Sequence, residues 1–214
     1  MGIVIELQQE ALSKDSDLLG LLRKAYLVAR KLKLKDFESW INHEMKGYSA
    51  EDDVPQYRIY HGQVKAWNPY HGWIPVIFES DKEQHILSKH EAREPIASLV
   101  DVYSNSIGKS VQFMFSDSIN ELMSSTAPFS TKYCLQVSPN ALFSTFESIR
   151  NSILDWAITL EENGITGDEL CFTDDEIKTA HESQTINNFI NNFYGDVNNT
   201  QMQQGTEASA QNQE

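Results

Sequence analysis

The sequence predicts an α+β fold with an N-terminal helical hairpin, a small antiparallel sheet that includes a β-hairpin, a long C-terminal helix packed across the sheet, and a disordered polar tail. Three patterns indicate this fold. Apolar residues recur at three- and four-residue steps over 16–46 and again over 139–163. Between these regions, β-branched and aromatic residues alternate with polar ones. Beyond residue 195 the chain is mostly Asn, Gln, Thr, Ser and Gly, which bury too little apolar surface to offset ordering.

The predicted hairpin consists of two closely spaced helices. Ser13 and Ser16 supply helix-starting side chains for a first helix over about residues 16–31. The apolar period continues through Trp40 and ends at Gly47, a residue type that commonly ends helices. Because the connection is short, we expect the two helices to pack against each other.

The middle of the chain has the features of a sheet. Tyr57–Trp67 and Trp73–Phe78 read as the strands of a hairpin, with Asn68–Gly72 as its turn. Val111–Phe115 and Tyr133–Val137 are predicted as two further strands.

Several helix starts have recognisable caps. The capping-box pattern occurs at Ser80 and again at Thr173, and Pro95 is placed to open a helix of about ten residues. The longest helix begins with Ser138-Pro139 and continues to Gly164. Its 25 or so residues would span roughly 37 Å, enough to cross the domain.

Composition restricts the classes of function. The net charge of −14 opposes binding to phosphate backbones, which argues against nucleic acid as a partner. Cys134 and Cys171 are far apart and lack zinc-ligand spacing, as expected in a reducing compartment. The N-terminus lacks a signal-peptide core and no stretch is long enough to span a membrane, so we expect a cytoplasmic protein.

The usual catalytic signatures are missing from the sequence. Gly108-Lys109-Ser110 resembles the end of a phosphate-binding loop, but Tyr103 stands where that loop needs a glycine. The acyl-transfer and zinc-hydrolase motifs are absent, and no two histidines are three or four residues apart. We therefore predict no catalytic residues, no metal and no cofactor.

A basic cluster at the junction of the helical hairpin is the first candidate binding surface. It consists of Arg30, Lys31, Lys33 and Lys35. Such a cluster could bind an acidic partner, but cations are also common at helix C-termini, where they complement the helix dipole. The second interpretation leaves the cluster as a solvated helix end.

An aromatic turn is the second candidate, formed by Trp67, Asn68, Tyr70, His71 and Trp73 with an intervening proline and glycine. Aromatic side chains on a rigid turn bury a large area at low entropic cost, as in many protein interfaces. The alternative is that the two tryptophans are core anchors and that Asn-Pro only sets the turn.

Short motifs along most of the chain resemble the AbiTii domain family. They include Ala29-Arg30-Lys31-Leu32, Trp40-Ile41, Glu44, Gly47-Tyr48, Tyr57-Arg58-Ile59, Pro95-Ile96, Arg150-Asn151, Asp155-Trp156 and Leu160-Glu161, and the most specific is the block from Trp67 to Val76. The resemblance covers roughly residues 4–166. It implies a domain of bacterial abortive-infection systems, without an established set of catalytic residues.

These observations predict a globular domain over 1–166, a short helix and connecting segment over 167–194, and a tail over 195–214. The preferred interpretation is a non-catalytic sensor or adaptor domain of an antiphage defence system. It would contact a partner protein of the system or a phage component, and a homo-oligomer remains possible. The alternative is a toxic, nuclease-like effector assembled from scattered acids, histidines and Arg150.

Self-assembly through residues 186–204 is a third possibility. Its apolar residues are Ile186, Phe189, Ile190, Phe193 and Tyr194, and they alternate with asparagines. Asn and Gln ladders stabilise cross-β stacks, whereas a polar tail can equally be an inert solubilising segment.

Overall fold

A computed structural model describes residues 2–13, 16–106, 110–125, 130–187 and 189. The helices are α1 (Ile3–Leu12), α2 (Leu18–Lys31), α3 (Lys35–Lys46), α4 (Asp81–Leu87), α5 (Ile96–Asn105), α6 (Asp117–Ser125), α7 (Pro139–Glu162), α8 (Asp174–Glu182) and α9 (Gln184–Asn187). The strands are β1 (Ile59–His61), β2 (Gln63–Asn68), β3 (Gly72–Pro75), β4 (Lys89–Glu91), β5 (Val111–Met114) and β6 (Tyr133–Val137). This mixture of helices and small antiparallel sheets confirms the predicted α+β fold.

The predicted helical hairpin is present as α2 and α3, but α1 precedes it and was not predicted. One face of α1 is buried against α7, and the Gln8 side chain donates to the backbone oxygen of Ala157 at 3.2 Å. Lys24 on α2 forms ion pairs with Glu6 and Glu10 on the other side of α1. The two glutamates that interrupt the apolar run in the sequence therefore face α2.

The predicted first strand is divided between two sheets at Gly62. β1 pairs with β4 in a two-stranded sheet, whereas β2 belongs to a four-stranded antiparallel sheet of order β3-β2-β6-β5. A Cβ atom at Gly62 would lie 2.4 Å from the carbonyl oxygen of Gln136, so only glycine allows this close approach. The hairpin partner β3 is shorter than predicted and ends at Pro75.

The long helix α7 lies at the centre of the hydrophobic core. Its buried face includes Ile149, Ile153, Trp156 and Leu160, and the Trp156 ring stacks on Phe37 of α3 with 3.8 Å between centroids. Contacts with α1, α2, α5 and α9 surround it. The helix has 24 residues, close to the predicted length.

The segment after α7 folds back onto the domain. The predicted capping box at Thr173 is present, and the Glu176 carboxylate also accepts hydrogen bonds from the backbone N–H groups of Thr166 and Gly167, both at 2.9 Å. The carbonyl of Thr166 in turn accepts from the N–H of Val4 in the first turn of α1. Glu176 therefore holds the loop on which α1 begins. The predicted disordered tail lies outside the described residues.

Candidate binding surface on the four-stranded sheet

The aromatic turn is a fixed three-residue loop at the end of the β2–β3 hairpin. Asn68 pairs with Gly72 in the register, and its side-chain oxygen accepts from the N–H groups of Tyr70 at 2.9 Å and His71 at 3.1 Å. Gly72 has φ of +71°, the left-handed conformation that this loop length requires. Asn68 thus has a structural role as the residue that fixes the turn.

The rings of the turn lie at the surface. Tyr70 is 91% exposed and Trp67 is 42% exposed, while Trp73 is half-buried. Trp67 and Trp73 are directly opposite in the register and meet edge to face, with 5.4 Å between centroids and 69° between planes. Neither tryptophan belongs to the hydrophobic core, so the interpretation of both as core anchors is wrong.

Strand pairing brings residues that are distant in the sequence to the same outer face. One row across the sheet consists of Met114, Cys134, Lys65 and Pro75. The next row contains Lys132, Trp67 and Trp73, because the N–H of Trp67 donates to the carbonyl of Lys132 at 2.9 Å. Side chains alternate between faces along a strand, and Val64 and Leu135 on the other face belong to the core, so both rows lie on the outer face. Cys134 is covered by its neighbours there, whereas Met114, Trp67 and Lys132 are exposed.

A cleft of about 510 Å³ opens on this face beside the two tryptophans. Trp67, Pro69, Trp73, Met114, Ser130, Thr131 and Lys132 line it. The Thr131 hydroxyl donates to the carbonyl of Trp67 at 2.5 Å, which fixes the segment before β6 against the hairpin. The cleft therefore combines an apolar wall with two hydroxyl side chains and one lysine, Lys132.

The basic cluster lies elsewhere, where α2 meets α3. Arg30 donates to the Tyr26 hydroxyl at 3.1 Å, which lowers the pKa of Tyr26, and its Nε lies 3.5 Å from Glu38. Lys35 approaches the same carboxylate at 3.3 Å. Lys31 is exposed on α2, and Lys33 adopts φ of +58° in the connection. Two of the four cations are thus engaged with one glutamate.

A smaller cavity of about 210 Å³ adjoins this junction. Its lining consists of Lys33, Leu34, Lys35, Asp36, Phe37, His181 and Ile186. It shares no residue with the cleft on the sheet. The two candidate surfaces predicted from the sequence are therefore separate.

Two residues of the predicted self-assembly segment pack inside the domain. Ile186 is 4% exposed, and the Phe189 ring approaches Phe37 edge-on with 6.1 Å between centroids. The other three, Ile190, Phe193 and Tyr194, lie outside the described residues.

The residues that carry the family resemblance in the first half of the chain meet in a buried polar network. Glu44 and Arg58 are both fully buried and form an ion pair, with the Nε and Nη2 atoms of Arg58 donating to the carboxylate at 2.5–3.1 Å. The hydroxyls of Tyr48 and Tyr57 also donate to Glu44, at 2.7 and 2.9 Å. Trp40 donates to Tyr57 at 2.7 Å.

Backbone groups complete this network. The remaining Arg58 nitrogen, Nη1, donates to the carbonyls of Ala92 and Glu94, each at 2.9 Å. Burial acts to lower the pKa of Arg58, but the Glu44 carboxylate raises it above its ordinary value. Burial also raises the pKa of Tyr57 well above the usual range. The network therefore joins α3, the segment before β1 and the β4–α5 connection, and the Glu44–Arg58 pair at its centre is closed to solvent.

Arg150, which the effector alternative invokes, connects α7 to the segment before α2. It donates to the hydroxyl of Ser16 and, at 3.3 Å, to the carbonyl of the same residue, and its Nε lies 3.5 Å from Glu147. Among the described residues, no group of three or more His, Cys, Asp or Glu side chains is arranged to hold a metal ion. Of the helices in the described ranges, none is long and apolar enough to cross a membrane.

The geometry defines a class of molecule: an α+β domain organised by a buried Glu-Arg-Tyr network, with an aromatic hairpin and a cleft on the outer face of its sheet. The sequence profile of the AbiTii family matches residues 2–185, so the chain belongs to the AbiTii family. The family name denotes a domain of abortive-infection defence. No curated protein and no solved structure matches the chain.

Proposed function

We propose that this protein is a non-catalytic sensor or adaptor domain of a bacterial antiphage defence system, and that it acts by binding a partner through the aromatic turn. The observation that carries the proposal is the exposure of Trp67 and Tyr70 on a turn that Asn68 and Gly72 hold in one conformation. A backbone that is already held in one conformation loses little entropy on binding, and aromatic side chains are prominent among the residues that dominate protein interfaces.

The surroundings of the turn support a binding role. The exposed rings adjoin a cleft lined by Met114 and Lys132, and unbranched Met side chains adapt to varied apolar partners. The charged residues that lie deepest in the domain, Glu44 and Arg58, are saturated by internal hydrogen bonds. A partner protein of the system or a phage component, present in the cytoplasm, is the occupant that the proposal expects.

Phage plaque counts on cells that express variants of the chain test the proposal. We expect Trp67→Ala combined with Tyr70→Ala to abolish protection while the circular dichroism spectrum stays native. Leu12→Ala is the matched control, because Leu12 is an exposed apolar residue, 69% accessible, at the end of α1. Full protection by the aromatic variant, or equal loss in the control, would contradict the proposal.

Genetic context separates an adaptor from an effector. We expect protection only when the gene is expressed with its chromosomal neighbours, since an adaptor needs the protein that it recruits. Cells that express the gene alone should grow normally and keep their nucleic acids intact. Growth arrest with degraded nucleic acid in those cells would instead establish a toxic effector.

A further inference from the structure

We infer that the cleft on the outer face of the four-stranded sheet binds an acidic peptide segment of the partner, with an apolar side chain of that segment seated between Trp67, Trp73 and Met114. This inference rests on the proposed function and specifies the chemistry of its partner. The juxtaposition that supports it is an apolar cleft lined by Lys132, with Lys65 in the neighbouring row, on an acidic protein.

The charge distribution is the first argument. The chain has 31 acidic and 17 basic residues, yet β2, β3, β5 and β6 together contain no Asp or Glu and one charged residue, Lys65. Lys132, directly before β6, is exposed and lines the cleft. The outer face therefore carries positive charge on a chain whose net charge is negative, and it would attract carboxylates.

Side-chain geometry is the second argument. Trp67 lies between Lys132 and Trp73 in one row, and Lys65 occupies the neighbouring row two residues away on the same strand. An extended peptide across these rows could place an apolar side chain at the tryptophan pair and carboxylates beside the two lysines. Charge pairs at the rim would set orientation and association rate, and the buried apolar anchor would supply most of the affinity.

The same two features argue for a peptide over a nucleic acid. Binding to a phosphate backbone draws its affinity from several cations along a track, whereas the lining of this cleft includes one cation, Lys132, with Lys65 in the neighbouring row. Base stacking needs an open ring face, but Trp67 and Trp73 meet at 69° and form a notch. A notch accommodates a single apolar side chain.

Calorimetric titration of the full chain with defined probes tests the inference. The probe is the capped peptide Asp-Glu-Phe-Leu-Asp-Glu. Its controls replace the four acids by lysine, or the Phe and Leu by alanine, and a thymidine dodecanucleotide represents nucleic acid. We expect the probe to bind about tenfold or more tightly than each control, which is about 1.4 kcal/mol, with weaker binding at high salt.

Variants identify the site that binds the probe. We expect Lys132→Glu or Lys65→Glu to weaken binding about tenfold, and Trp67→Ala to weaken it at least as much. Lys178→Glu makes the same charge change at an exposed position on α8, outside both candidate surfaces, and should leave the affinity unchanged. Equal effects of Lys178→Glu and Lys132→Glu, absence of probe binding, or tighter binding of the oligonucleotide would each overturn the inference.

Plaque counts distinguish failure of this inference from failure of the proposed function. We expect Lys65→Glu combined with Lys132→Glu to lose protection, as the aromatic variant does. If the aromatic variant loses protection and the lysine variant keeps it, the turn still binds a partner but that partner is not acidic. If neither variant loses protection, the proposed function fails with the inference.

Discussion

At the scale of single residues, the most consequential side chain is one that contacts no solvent. Glu44 receives hydrogen bonds from Arg58, Tyr48 and Tyr57, so one carboxylate joins the end of α3 to the segment before β1. Both members of the ion pair are fully buried. Buried pairs of this kind contribute little net stability compared with an apolar pair of the same shape, but removal of one partner leaves an uncompensated charge.

Glu44→Gln should therefore lower the free energy of unfolding by about 3–5 kcal/mol, because the Arg58 guanidinium stays charged and buried. Urea denaturation measures the change. The control is Lys178→Ala, which removes an exposed ion pair with a separation of 3.8 Å and should change stability by about 0.5 kcal/mol or less. If Glu44→Gln lowers the free energy of unfolding by less than about 1 kcal/mol, other groups compensate the buried charge of Arg58.

Glu176 couples stability to pH. Partial burial acts to raise the pKa of Glu176, but hydrogen bonds from the backbone of Thr173, Gly167 and Thr166 outweigh it and lower the pKa below its ordinary 4.5. A depressed folded-state pKa stabilises the fold above the pKa of the unfolded chain. That contribution is lost as the pH falls through the folded-state value.

Glu176→Gln should therefore destabilise the domain most near neutral pH, and the difference from the unmodified chain should shrink below pH 4.5 as Glu176 itself becomes protonated. Chemical denaturation at a series of pH values measures this. Glu162→Gln, at an exposed position at the end of α7, is the control and should show no such trend. A pH-independent difference for Glu176→Gln would refute the coupling.

At the scale of elements, the β2–β3 hairpin owes its shape to its loop. Gly72 has φ of +71°, and a Cβ atom there would meet only Trp67 Cζ3, at 4.0 Å. The space is open, so the cost of a side chain at this position is conformational.

Gly72→Ala should cost about 1–2 kcal/mol and loosen the tryptophan pair. Gly72→Asn is the matched control, because asparagine tolerates the left-handed region and should lose less. Denaturation followed by tryptophan fluorescence measures both. If alanine and asparagine have equal effects, the left-handed backbone conformation is not the reason that glycine is needed at position 72.

Local sequence patterns predict those helices and strands that can be recognised without knowing which distant segments they pack against. The caps and apolar periods of α2, α3 and α7, and the short apolar run of β6, predict their positions closely. Helix α1 escapes prediction because its apolar residues are interrupted by acids and are buried only against distant segments. Helix α6 escapes prediction because it has few apolar residues, and none of them is fully buried. The division of the first predicted strand at Gly62 likewise depends on where Gln136 lies, which no local pattern encodes.

The residues of the candidate site also fall into those that a local pattern predicts and those that only the fold brings together. The aromatic turn is contiguous in the sequence, so its composition reveals it. Met114 and Lys132 join it only because β6 pairs with β2 and β5 pairs with β6, so a single sequence does not indicate them. A usable signal was present, because the acid-free strands stand out in a strongly acidic chain.

At the scale of the whole molecule, the segment after α7 packs against the core and so belongs to the folded domain. The family match extends to residue 185, past the boundary at 166 suggested by the resemblance. Ile186 is buried, and Phe189 lies against Phe37, whose ring stacks on Trp156. Residues beyond 166 therefore cover the centre of the core.

Truncation separates the structural role of this segment from assembly. A chain that ends at Ser183 should lose about 2–4 kcal/mol of stability, because Ile186 and Phe189 no longer bury their side chains, whereas one that ends at Gly195 should keep the full value. Thermal denaturation measures the difference. Equal stability of the two truncated chains would show that α9 adds nothing to the core.

Self-assembly through 186–204 makes a different prediction for the same chains. Since Ile186 and Phe189 are engaged in the fold, assembly would have to draw on residues 190–204 or release the two from the core, so the full chain should form larger species that the chain ending at Ser183 does not. Sedimentation velocity over a range of concentrations measures this. If the full chain and both truncated chains are monomers of the expected mass, the segment contributes to folding and not to assembly.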